Sequence, residues 1–219
     1  MLKKLLIGSV GAVLAAGAQA PVAGAAPAAD PVPAARVTVD LVQVNGSGCR
    51  PGSATAAVAA DNSAFTVTYS EYLAQVGKGA KPTEFRKNCQ LGLRVNVPQG
   101  FTYAIARADY RGFASLEAGA VGKQLASYYF QGMSGTAVRT HTFKGPQEGN
   151  WQASDTTEIQ ALEFAPCGAQ RNFNINTELR VDGGTSDTAN TTSFMAMDST
   201  DGSLETVYHF AWKQCPTRR

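Results

Sequence analysis

Two histidines, four cysteines and a scatter of carboxylates are the residues of this chain whose chemistry could carry a function. His141 and His209 are the only histidines, and imidazole is the side chain that most readily serves as a base near neutral pH. A base also needs a nucleophile within hydrogen-bond reach. The serines supply none by pattern, because Gly46-Ser47-Gly48 and Met133-Ser134-Gly135 lack the G-x-S-x-G elbow. Glu158, Glu163 and Glu178 fall in or near strand-like runs, and a glycosidase needs only two carboxylates on one concave face. The plainer reading is that they occupy the wet side of an antiparallel sheet. The run from Asp198 to Glu205 lacks the alternating oxygen ligands of a calcium loop and reads as a turn.

Cys49, Cys89, Cys167 and Cys215 are even in number and far apart, which in an exported chain means two disulfides. A zinc site would call for C-x-x-C pairs, and there are none, so neither a metal nor a cofactor is expected. Chain entropy favours no connectivity, since each loop between neighbouring cysteines is worth about 4 kcal/mol and the longest closure only about 1 kcal/mol more. Order along the chain alone points to Cys49 with Cys89 and Cys167 with Cys215. Export itself is read from Lys3 and Lys4, the apolar run from Leu5 to Ala16 and the small residues up to Ala20, the pattern of a secretory signal peptide. The run is too short to span a membrane, which takes about 20 residues. The expected organisation is a signal peptide over 1–26, an Ala/Pro-rich leader over 27–35 with too few large side chains to pack, and one folded domain over 36–219.

The full chain carries 19 Lys and Arg against 17 Asp and Glu. Loss of Lys3 and Lys4 with the signal leaves the mature protein neutral, so it presents no broad field for nucleic acid or for anionic membranes. Aromatic side chains offer a different kind of contact. Most of them fall in alternating runs and read as core, but Trp151 lies in a Gly-Asn-Trp-Gln stretch that reads as a polar loop, which would make it a candidate ligand contact. Asn45-Gly46-Ser47 and Asn190-Thr191-Thr192 match the N-glycosylation acceptor pattern.

The elements that must position these groups are strands. Leu91, Leu93, Val95 and Val97 alternate with Gly92, Arg94 and Asn96, and after Pro98-Gln99-Gly100 the alternation resumes through Phe101, Tyr103 and Ile105. Two such runs joined by three turn residues predict an antiparallel hairpin at the centre of the fold. Arg36 to Val44 predicts a strand with a slip or bulge. Thr55 to Ala60 and Phe65 to Tyr69, joined at Asp61-Asn62-Ser63, predict a second hairpin. Further strands are expected at Leu125 to Phe130, Thr136 to Phe143, Ile159 to Phe164, Phe173 to Val181, Thr192 to Met197 and Leu204 to Lys213, with a long turn from Gly145 to Asn150. The last of these places His209 opposite Tyr208, Phe210 and Trp212, facing solvent. Gly119 and Gly122 argue against a helix between Leu116 and Ala126. Strands at this spacing without a convincing helix predict an all-β fold, a single-domain antiparallel sandwich or jelly roll.

Gly46-Ser47-Gly48-Cys49-Arg50-Pro51-Gly52-Ser53, Cys89 with Leu91 to Gly100, Arg111-Gly112, Tyr128-Tyr129-Phe130, Pro166-Cys167-Gly168, Asn174-Ile175-Asn176-Thr177 and Trp212-Lys213-Gln214-Cys215 together resemble the secreted bacterial and fungal proteins grouped as domain-of-unknown-function family 4360. The resemblance runs from Val37 to Cys215 and departs at Arg50, where a proline would be expected after the cysteine. It implies export and a β domain with paired cysteines, and it carries over no catalytic residue. With no recognisable reaction motif, the reading is a secreted, non-catalytic module that binds a glycan or an extracellular protein surface. Two alternatives stand beside it: a secreted hydrolase using a carboxylate pair or His141/His209, and an inhibitor of secreted proteases acting through the loop Gly46 to Ser53.

Overall fold

The computed structural model describes residues 31–134, 138–197 and 205–216. The expected signal peptide over 1–26 and the turn at 198–203 lie outside the described residues, as do the first residues of the leader and Thr136. In chain order the strands are β1 (Thr38–Asn45), β2 (Ala54–Val58), β3 (Ala64–Tyr69), β4 (Leu73–Gly77), β5 (Arg86–Asn96), β6 (Phe101–Leu116), β7 (Val121–Phe130), β8 (Arg139–Lys144), β9 (Gln147–Thr156), β10 (Phe173–Asp182), β11 (Thr192–Ala196) and β12 (Glu205–Gln214). They form two antiparallel sheets. One has the order β1-β5-β10-β7-β8; the other runs β2-β3-β12-β6-β11-β4, with β9 also paired to β6.

The core is what the period of two dictates. Leu91, Leu93, Ile175, Leu179 and Val181 from the five-stranded sheet meet Phe65, Val67, Tyr103, Tyr110, Tyr208 and Phe210 from the larger one, all buried. Register sets the inner face of the five-stranded sheet, with Leu93 opposite Phe173 and Leu91 opposite Ile175. Tyr103 forms the aromatic hub, with Phe130 at 5.4 Å, Phe210 at 5.5 Å and Trp212 at 6.2 Å between ring centroids. The irregularity expected in the first strand is a bulge between Leu41 and Gln43. It turns Val42 out to solvent while Val39, Leu41 and Val44 all pack on the core.

Three expectations are corrected. The central runs are both strands, but β5 and β6 lie in different sheets, so the segment between them is an arch across the sandwich and not a hairpin. Gly100 takes a φ of 88° and its carbonyl accepts from the Cys215 amide at 2.8 Å, which fixes the crossing against the end of β12. Residues 145–150 are not a long turn, because β9 already begins at Gln147. Ile159 to Phe164 holds a short 3-10 turn, Ile159–Ala161, and no strand. The β2–β3 hairpin stands as expected. Its turn residue Asn62, at a φ of 56°, accepts from the Val37 amide and donates to the Pro33 and Ala35 carbonyls. That ties the chain's entry segment to the sandwich.

The disulfides pair Cys49 with Cys89 and Cys167 with Cys215. The first joins the loop after β1 to β5; the second joins the loop before β10 to the end of β12. Among the described residues no helix is long and apolar enough to cross a membrane.

Candidate functional site

The polar groups with most structure around them converge on Asp155. Antiparallel pairing of β6 with β9 sets Ala108 opposite Asp155 and Tyr110 opposite Ala153, so Trp151, Ala153 and Asp155 point inward from β9 while Tyr110 points inward from β6. From the facing sheet, β7 sends in Tyr128 and Phe130, and β8 sends in His141. The Asp155 Oδ2 accepts from the Tyr110 hydroxyl at 2.9 Å and the Tyr128 hydroxyl at 3.2 Å. Its Oδ1 lies 2.9 Å from His141 Nε2, and a carboxylate oxygen can only accept, so the imidazole donates. Burial first, then the adjacent Asp155 charge, pushes the Tyr128 phenol well above its ordinary pKa. It therefore stays a hydrogen-bond donor.

A cavity of about 300 Å³ opens beside this cluster, walled by Ile105, Tyr128, Phe130 and Phe173 and edged by Arg139, Asp155, Thr157 and Glu163. Its walls come from three strands: Ile105 from β6, Tyr128 and Phe130 from β7, and Phe173 from β10. The Tyr128 ring stacks on Phe173 at 6.3 Å and 10°, and Phe130 meets Phe173 at 5.3 Å. The apolar walls are thus braced from behind. Cavities of this size and character, with a few converging polar groups, are the usual form of a small-molecule site.

A second cluster sits on the outer face of the same strand pair. Asp109 accepts from Arg107 Nε at 2.8 Å and from the Ser154 hydroxyl, and lies 2.9 Å from His209 Nε2. Burial alone would raise the Asp109 carboxyl, but the hydrogen bonds from Ser154, Arg107 and His209 outweigh it and hold the pKa below its ordinary value. Ser154 and His209 both bind the aspartate, and no bond joins them to each other. The cluster therefore lacks the serine-to-histidine contact that activates a nucleophile.

The residues singled out in the sequence divide accordingly. His141 borders the cavity cluster, and His209 is half-exposed on the outer face, as the strand pattern predicts. Glu163 lines the cavity. Glu158 is exposed, and Glu178 lies between Arg86 and Arg180 on the outer face of the five-stranded sheet. Trp151 is not in a loop. It lies within β9, only 3% exposed, with its ring 5.0 Å from that of Phe143 and set against Gly112, where any side chain would strike the indole. A ring so covered offers no face to a ligand. The loop from Gly46 to Ser53 buries Gly48, Cys49 and Ser53 and exposes Arg50, Pro51 and Gly52, with Arg50 paired to Glu71. No group of three or more His, Cys, Asp or Glu side chains able to hold a metal occurs among the described residues.

Asp155 was not singled out by sequence reasoning, and Tyr110 and Tyr128 fall among the aromatics that read as core. The signal was present in the spacing Trp151-x-Ala153-x-Asp155, which is a strand's inward face once the preceding residues are read as strand.

An uncharacterized secreted protein of Arthroderma benhamiae is 34% identical over 180 residues, which cover 82% of this chain and 72% of that one. Among solved structures, TmCBM61 in complex with β-1,4-galactotriose matches with a TM-score of 0.30 and 11% identity, over 80% of this chain and 91% of that one. The enzymatically active domain of bacteriophage CBA120 tailspike protein 4 matches with a TM-score of 0.25 and 6% identity, over 82% of this chain and 19% of that one. Likeness at this level bears on neither ligand nor activity. The protein is secreted, in keeping with its relative and its two disulfides. The chain belongs to the family described as domain of unknown function DUF4360, whose model matches residues 35–215.

Proposed function

We propose that the protein is a non-catalytic extracellular binding module whose ligand is a glycan seated in the cavity beside Asp155. The observation that carries this reading is the pairing of braced aromatic walls, Tyr128, Phe130 and Phe173, with polar groups at the rim, Arg139, Asp155 and Glu163. A sugar presents both kinds of surface. Its C–H faces pack on rings, and its hydroxyls bond to planar carboxylate and guanidinium groups. Asp155 is better suited to holding than to reacting. Its oxygens already accept from two phenols and an imidazole, so it is fixed in place.

The test is an array of polysaccharides and cell-wall fractions scored for both retention and turnover. Arg139→Ala and Glu163→Ala alter the exposed rim and should leave the melting temperature unchanged while lowering retention at least tenfold. Wild-type protein that retains no saccharide, or variants that bind as well as wild type, would overturn the reading.

A second reading rests on a specific observation as well. Asp155 and Glu163 line one cavity, and two carboxylates flanking one site are what glycoside hydrolysis requires. Release of reducing ends that disappears in Glu163→Gln and in Asp155→Asn would favour the hydrolase.

A further inference from the structure

On the five-stranded sheet the alternation that buries Leu179 and Val181 turns Glu178, Arg180 and Asp182 outward. Register extends that outer face over the neighbouring strands. Arg180 lies opposite Arg86 of β5 on one side and Lys123 of β7 on the other, so three cations stand in one row over about 10 Å. Like charges directly opposite each other destabilise a sheet, and no carboxylate interrupts this row.

A single glutamate beside the row serves two of its members. Arg86 donates to Glu178 Oε2 from Nε at 2.7 Å, and Arg180 donates to Oε1 from Nε at 3.1 Å and Nη2 at 2.7 Å. The Glu178 side chain is 13% exposed against 52% for Arg86 and 42% for Arg180, so the carboxylate lies beneath the guanidiniums and fixes their planes. Their Nη1 groups form no hydrogen bond among the described residues, and Lys123 and Lys144 pair with no carboxylate there. The other acids of this face are engaged elsewhere. Asp182 accepts from the Gly184 amide at 2.9 Å, and Asp40, opposite Arg94, accepts from Asn96 at 2.9 Å. Arg86, Arg94, Lys123, Lys144 and Arg180 thus outnumber Asp40, Glu178 and Asp182 on this face, in a chain whose 19 basic residues barely exceed its 17 acidic ones.

We propose that this row is a second binding site, separate from the cavity, for the carboxylates of an acidic polysaccharide laid across the strands. Arg86 and Arg180 hold one carboxylate and Lys123 the next. A guanidinium fork matches the plane and both oxygens of a carboxylate, while an ammonium acts as a point charge. A polyuronate carries a carboxylate on every sugar, and one sugar unit is comparable in length to the strand spacing of about 4.8 Å, so successive carboxylates track the row. A line of three cations is too narrow for a membrane surface or a nucleic-acid duplex, which call for a broad field. The saccharide nature of the ligand rests on the glycan reading above; the place and the sign of its charge do not.

The experiment is isothermal titration calorimetry of the intact protein at low salt with oligogalacturonate, and with xyloglucan oligomers, poly-L-glutamate and dextran sulfate as comparisons. The row variants are Lys123→Glu and, separately, Arg86→Gln. Arg111→Glu, exposed on the other sheet, makes the same change in net charge as Lys123→Glu, and Arg139→Ala with Glu163→Ala is the cavity variant. Lys123→Glu relieves a like-charge contact with Arg180, so it should keep or raise the melting temperature while weakening oligogalacturonate binding at least about tenfold. Arg86→Gln should weaken it as well, and both losses should exceed those of Arg111→Glu and of the cavity variant. A role in stability alone would move the melting temperature and not the affinity. Equal losses in Lys123→Glu and Arg111→Glu would reduce the effect to net charge and overturn the site. Poly-L-glutamate or dextran sulfate bound as tightly as oligogalacturonate would overturn it too, as would wild-type protein that binds no oligogalacturonate. Loss in the cavity variant alone would overturn this site and leave the cavity reading intact. Failure of every neutral saccharide to bind, with the row variants behaving as expected, would overturn the cavity reading and leave this site standing.

Discussion

One pair of strands, β6 and β9, carries two aspartates that each hold a histidine at 2.9 Å, one on each face of the sheet. The two carboxylates are about equally covered, with 9% of the Asp155 side chain exposed and 12% of Asp109. What differs is the company. Asp155 is the acceptor for Tyr110, itself fully buried, and for Tyr128 in the facing sheet, so it bridges the two halves of the sandwich. Asp109 is held by Arg107, half of whose side chain is in water, and by Ser154 and His209 at the surface. The same chemical pair is a structural tie on one face and a solvated cluster on the other. The burial of the partners decides which, because a buried donor left without an acceptor bears its full desolvation cost while an exposed one turns to water.

The largest expected effect follows directly. Asp155→Ala takes the acceptor from the buried Tyr110 hydroxyl and removes the tie to the facing sheet, and should cost on the order of 3 kcal/mol, read as a fall in the denaturant midpoint with the slope unchanged. Asp109→Ala should cost about 1 kcal/mol. Equal losses would dissolve the distinction between the faces.

Coupling sharpens the comparison further. In a double-mutant cycle, Tyr128→Phe with Asp155→Ala should show an interaction of about 1 kcal/mol or more, because the hydroxyl and the carboxylate share one hydrogen bond. Ser154→Ala with Asp109→Ala should show about half of that. Salt separates the two in a third way. At 1 M the Debye length is about 3 Å, so added sodium chloride should shrink the cost of Asp109→Ala while leaving that of Asp155→Ala nearly unchanged.

How far these sites could be read from the sequence depends on what alternation encodes. It reports which face a residue takes, and so β3, β5, β6, β10 and β12 were legible, together with the outward position of His209. It does not report a strand's partner. Leu91 to Val97 and Phe101 to Ile105 alternate equally well in a hairpin and in an arch, and only the crossing at Gly100, pinned to Cys215, separates the two. The β9 strand was hidden for another reason. Its outward residues are polar and its first inward ones are Gln147 and Gly149, so the stretch has the composition of a turn; Trp151 was misplaced with it and Asp155 passed over. The disulfide pairing matched the order along the chain, although loop entropy could not have chosen it. The cavity was not legible at all. Its walls come from β6, β7 and β10 together, a meeting that no single segment records.

The smallest expected effect is with pH. The Asp109 carboxyl is lowered in the folded protein by Ser154, Arg107 and His209 acting against burial. A depressed folded pKa contributes stability that is fully present above the unfolded value, about 4, and is lost as pH falls through the folded value. Asp109→Asn removes that contribution, so the variant's melting temperature should fall less steeply than that of wild type between pH 5 and pH 2.5, the two curves converging by about 2 °C at the acid end. Glu178 titrates in the same direction through Arg86 and Arg180 and supplies a slope common to both proteins. Only the difference between the curves reports on the outer cluster. A variant whose curve runs parallel to that of wild type throughout would mean that Asp109 gains nothing from its three donors on folding, and that the outer pair is inert as well as solvated.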